Sequence, residues 1–167
     1  MAIKKGWFHP NLHEDMPQID KIPVSKISRD HQHGLVMSRR ILDAIDKENT
    51  DFSALASQIV QFFDDYMVPH FAEEENTFFP AIEHELDTLG LVKELLEEHH
   101  VMRVQVTRFR VPGLEIGKRE IEEFARNLER HIFKEEELFS SVSRKIKGLG
   151  RLRTETVGLQ SKAHTKG

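Results

Sequence analysis

A nine-residue pattern occurs twice in this chain. His70-x-x-x-Glu74-Glu75-x-x-Phe78 and His131-x-x-x-Glu135-Glu136-x-x-Phe139 share one template. On a helix, residues four apart lie on one face, one turn above each other. Each copy can therefore aim an imidazole and a carboxylate at one spot. Two such helices facing each other would converge on a shared site of two histidines and two glutamates. That donor set suits iron, manganese or zinc, and it suits calcium or a thiolate-seeking metal poorly.

The segments around the repeats predict four amphipathic helices. The first runs from about Ser25 to Lys47, with Ser25 or Ser28 as N-cap and a stripe of Ile27, His31, Leu35, Ser38, Leu42 and Ile45. The second follows the capping residues Thr50-Asp51. It carries Leu55, Ile59, Phe62, Phe63, Tyr66, Met67, His70, Glu74, Thr77, Phe78 and Ala81, then finishes irregularly towards Asp87. Pro69 and Pro80 fall inside this pattern. Each predicts a bend, because an interior proline loses a hydrogen bond and strikes the carbonyl four residues back.

The third helix runs from about Thr88 to Arg110, with Val92, Leu95, Leu96, His99, Met102, Val106 and Phe109 as its stripe, and Pro112-Gly113 stops it. The fourth runs from about Leu114 to Lys147, with Gly148 and Gly150 as its expected end. The architecture expected is all-α: an up-down-up-down four-helix bundle over residues 25–147, an irregular N-terminal segment over 1–24, and a flexible polar tail over 148–167. No strand-like alternation and no nucleotide-binding glycine loop is present.

Helices one and three add a histidine each, in Asp30-His31 and Glu98-His99. The candidate ligands are then His31, His70, Glu74, His99, His131 and Glu135, at least one per helix. They make chemical sense for two metal ions, with four imidazoles at the ends and two carboxylates between. A lone histidine on an apolar stripe is most often an ordinary core residue. The glutamates oppose that reading, because carboxylates are rarely buried unless paired or metal-bound. The helical phase favours His31 over His33 and His99 over His100. The neighbours are left as supporting donors or surface residues. His9, His13, His84 and His164 read as peripheral.

Composition removes other classes. The chain has 10 His but no Cys, which excludes disulfides, thiolate metal sites and cysteine nucleophiles. A net charge of −4 gives nucleic acid no basic footprint. No apolar run reaches the ~18 residues of a membrane span, and the N-terminus has no apolar stretch of signal-peptide length. A cytoplasmic protein is expected.

With Asp30-His31, His70 through Pro80, Glu98-His99 through Arg103, and His131 through Phe139 together, the chain resembles the hemerythrin-like (His-His-Glu cation-binding) family. The resemblance implies two non-haem iron ions with an oxo or hydroxo bridge. It further implies binding or sensing of dioxygen, nitric oxide or peroxide, or of iron and redox state. The alternatives it carries are a di-iron oxidase, peroxidase or nitric oxide reductase, and an iron–sulfur-cluster-repair protein. A protein partner is conceivable through the termini. Two positions depart from the dioxygen-carrying members. Arg103 stands where helix three would offer a second histidine, and Glu136 stands where helix four would carry an aspartate. A ferritin-like carboxylate site needs paired Glu-x-x-His motifs, and only Glu97 through His100 fits.

Overall fold

In the computed structural model the backbone is described for residues 24–83 and 88–163, and side chains for 26–82 and 88–144. The expected N-terminal irregular segment, His9, His13, His84 and His164 lie outside the described residues. Every regular element among those described is helical. Helix α1 spans Val24–Ile45. A long rod follows, made of α2 (Phe52–Phe62), α3 (Val68–Glu73) and α4 (Phe79–Glu83), joined by π-turns at Phe63–Met67 and Glu74–Phe78. Helices α5 (Leu89–Phe109) and α6 (Lys118–Ala163) complete the bundle.

Local chemistry explains the boundaries. The Asp51 side chain accepts from the Ala54 amide at 3.0 Å and caps α2. Thr50 Oγ1 donates back to the Ala44 and Lys47 carbonyls at the end of α1. Asn49, at φ 61°, makes the turn between them. Gly113, at φ 75°, makes the turn after α5.

Helix α6 starts at Lys118, four residues later than its apolar pattern suggests. The Gly117 amide donates to Glu120 Oε2 at 3.0 Å, half of a capping box, while Ile116 and Ile121 pack in one cluster across the start. At its other end α6 does not stop at Gly148 or Gly150 but continues to Ala163. Glycine within a helix costs about 1 kcal/mol relative to alanine, which weakens the helix without forcing it to end.

Ser28 is not a cap. It lies inside α1, and its hydroxyl donates to Glu136 Oε1 at 3.1 Å.

Helix α1 packs chiefly on α6, α6 on α5, α5 on the rod, and the rod on α1. Gly34 allows the α1–α6 approach, since a Cβ there would lie 2.5 Å from Ile132 Cδ1. The buried Ser38 hydroxyl donates to the Ala125 carbonyl at 2.9 Å across the same seam. Two apolar clusters fill the bundle. One contains Ile41, Ile59, Phe63, Met67, Phe71, Met102, Phe124 and Leu128; the other contains Ile27, Phe78, Phe79, Ile82, Leu95, Leu138 and Phe139. All six candidate ligands occupy the layer between them.

Candidate metal centre

A polar layer in the middle of a core is costly unless its members satisfy one another. The six side chains His31, His70, Glu74, His99, His131 and Glu135 are each at most 1% exposed. Their donor atoms form two overlapping sets, each within 4.8 Å: His31, His70, Glu74 and Glu135, and Glu74, His99, His131 and Glu135. Both carboxylates belong to both sets. His33 and His100 are exposed, because each lies on the outward face of its helix.

All four rings present Nε2 to the centre. His31 Nε2 lies 3.1 Å from Glu135 and 3.6 Å from Glu74; His70 Nε2 lies 3.4 Å from Glu74. His99 Nε2 lies 3.5 Å from Glu74, and His131 Nε2 lies 3.2 Å from Glu135. The His99 and His131 Nε2 atoms are 3.0 Å apart, so one must carry a proton if they bond to each other. Despite this proximity, all four carboxylate oxygens of Glu74 and Glu135, Nε2 of His31 and both ring nitrogens of His70 lack a hydrogen-bond partner in the protein. Buried polar atoms left in this way point to a ligand that they share.

The outer nitrogens are held by acidic residues that the sequence reading did not assign. His31 Nδ1–H donates to Glu136 at 2.7 Å, His99 Nδ1–H to Glu75 at 2.7 Å, and His131 Nδ1–H to Glu98 at 2.8 Å. His70 Nδ1 faces Asp30 at 3.7 Å. Each acid is the chain neighbour of a candidate ligand yet serves the histidine of the next helix. The contacts run α1 to rod, rod to α5, α5 to α6 and α6 to α1, hydrogen-bonded at every link but the first. A carboxylate accepts only, so it fixes the proton on Nδ1 and leaves the Nε2 lone pair facing inward. The available signal is an acid directly beside one ligand on each of the four elements: Asp30, Glu75, Glu98 and Glu136.

The electrostatics follow the same geometry. Burial alone would push His31 down, but Glu135, Glu74 and Glu136 outweigh it and lift the ring to about 10. His99 is likewise opposed by burial and lifted by Glu135 and Glu74 to about 9. His131 is raised against burial by Glu135 and Glu98. For His70 burial wins, and its affinity for a proton falls. Glu135 is held well below the usual carboxylate range despite full burial, by His131, His31 and His99. Without a metal, protons on histidine therefore neutralise the inner carboxylates. A bound cation would replace them, so binding would release protons.

Aromatic rings wall the layer. Phe71 stacks on His99 at 3.7 Å between centroids, Phe139 stacks parallel to His31 at 5.4 Å, and Phe78 meets Phe139 edge-on at 4.4 Å. Tyr66, expected on the core stripe, is instead 45% exposed. It lies against Phe62 and His33, because the π-turn at Phe63–Met67 rotates it outward.

No helix among the described residues is long and apolar enough to cross a membrane. No match was found among curated proteins or among solved structures. Residues 22–141 match the family model of the hemerythrin HHE cation-binding domain, and the chain belongs to that family.

Proposed function

We propose that this chain is a non-haem di-iron protein, an up-down-up-down bundle that binds or senses a small ligand or reports iron and redox state. The observation that carries the reading is the pair of overlapping donor sets sharing Glu74 and Glu135, with seven of their nitrogen and oxygen atoms unpartnered. His31 and His70 would hold one ion, His99 and His131 the other, and the two carboxylates would serve both. Imidazole and carboxylate donors suit iron. Four protein donors per ion leave coordination positions for dioxygen, nitric oxide or peroxide. When bound, the iron pair would supply reversible one-electron chemistry and affinity for such ligands.

The protein's own contributions are orientation and exclusion. The outer carboxylates aim the imidazoles, and Phe71, Phe78, Phe79 and Phe139 keep bulk water from the layer. Outside the six candidate ligands, the buried Ser38 hydroxyl is held by the Ala125 carbonyl at 2.9 Å.

The test is to load the protein with ferrous iron under nitrogen, then expose it to dioxygen or nitric oxide while recording ultraviolet–visible spectra. A spectral change that reverses when the gas is removed is expected. Turnover of peroxide or nitric oxide with product accumulation would assign it to the enzymes instead.

A further inference from the structure

The two halves of the donor cluster are supported unequally. Around His99 and His131, both Nδ1–H groups donate to carboxylates, Glu75 at 2.7 Å and Glu98 at 2.8 Å. Each of those carboxylates is itself anchored. Arg103 Nη2 reaches Glu75 at 2.8 Å, and Lys134 Nζ reaches Glu98 at 2.5 Å. Phe71 stacks flat on His99, and the Arg103 guanidinium lies over the Phe71 ring, 5.4 Å from its centroid.

Around His31 and His70 the support is partial. His31 donates to Glu136, whose side chain is 41% exposed and is also bound by the Ser28 hydroxyl. His70 has no hydrogen bond at either nitrogen, and the acid facing its Nδ1, Asp30, stands 3.7 Å away. The ring of straps is thus closed tightly at three links and slack at the fourth.

A ligating imidazole must be neutral, with its lone pair aimed at the metal. A carboxylate on the other nitrogen fixes both tautomer and orientation, and losing it typically costs 10–100-fold in metal affinity. His70 must acquire its orientation on binding, whereas His99 and His131 have theirs beforehand. We infer that the two metal positions are unequal: the His99/His131 position fills first, and the His31/His70 position holds the more weakly bound, more readily exchanged ion. Glu75 and Glu98 are then positioning residues that set this order, and the Asp30–His70 gap is its structural cause. The inference rests on the two-metal reading above.

The experiment is anaerobic calorimetric titration of the metal-free full chain with Zn²⁺. Two binding events of one ion each are expected, roughly 10–100-fold apart in affinity. His70→Ala should remove the weaker event and spare the tighter one. His131→Ala should remove the tighter one. Glu98→Gln keeps the side chain's size, and should weaken the tighter event by about 10–100-fold; it carries the test if His131→Ala fails to fold. Two ions entering with equal affinity, or loss of the tighter event in His70→Ala, would overturn the inference while leaving two metals in place. Binding of one ion or none by the wild-type chain would overturn the two-metal reading and the inference with it.

Discussion

The two copies of the His-x-x-x-Glu-Glu-x-x-Phe pattern deliver the same donors from different backbones. The second lies in the unbroken α-helix α6, whereas the first lies in a rod interrupted by two π-turns. Each π-turn ends two residues before a proline, Pro69 or Pro80. A π-turn widens the helix by one residue, which gives the proline ring room and absorbs its missing donor. The bends expected at these prolines thus take the form of insertions, and the rod runs past Pro80 to Glu83.

The second insertion also shifts the phase. Before Glu74 and Glu135 the copies agree: Phe63 and Phe124, Met67 and Leu128, Phe71 and Ile132 are all buried. After them the copies slip by one. Helix α6 buries Leu138 and Phe139 and exposes Ser140, while the rod exposes Thr77 and buries Phe78 and Phe79. The first chelating pair therefore sits between the two insertions, with Glu74 as the first residue of the second one.

Substitutions at the shared carboxylates should have the largest effect. Glu74→Ala and Glu135→Ala, on different backbones, should each abolish iron at both positions, read by metal analysis after ferrous loading. A variant retaining one ion would show that its glutamate serves only one half. Next come the paired phenylalanines. Phe63→Ala and Phe124→Ala, equivalent in the repeat and in edge contact at 6.3 Å, should each cost about 3–5 kcal/mol in urea unfolding. Comparable losses would confirm that the copies remain in register up to the chelate.

The phase slip itself predicts unequal outcomes one step further on. Leu138→Ala should cost about 2–5 kcal/mol, and Thr77→Ala at the equivalent position should stay within about 0.5 kcal/mol. Equal costs would contradict the slip.

A further contrast comes from pH. His31 and His99 have folded values of about 10 and about 9, against 6.5 ordinarily. Their contribution to the metal-free fold is complete below about pH 6.5 and is lost as pH rises through 9–10. The urea midpoint of metal-free protein should therefore fall between pH 7 and 10. Metal loading should flatten that decline, because ligated rings carry no such proton.

The candidate site was more legible in the sequence than its setting. His70, Glu74, His131 and Glu135 stand out by spacing because each pair spans a single helical turn, and His31 and His99 by the apolar stripes on which they fall. A constant 3.6-residue period puts Thr77 and Tyr66 on the core stripe because it cannot register an inserted π residue. Helix propensity reads Gly148 and Gly150 as a stop for the fourth helix, whereas α6 carries its helical backbone through both. The carboxylate straps were hidden for another reason. Asp30, Glu75, Glu98 and Glu136 act on helices other than their own, and one-dimensional spacing is silent on contacts between helices.

The central claim is that two donor sets share two glutamates and hold two ions. It is tested most directly by iron analysis of the full chain after anaerobic ferrous loading and removal of free metal. The account predicts about two iron ions per chain, set by the two overlapping donor sets. A chain that remains free of iron under those conditions would contradict it.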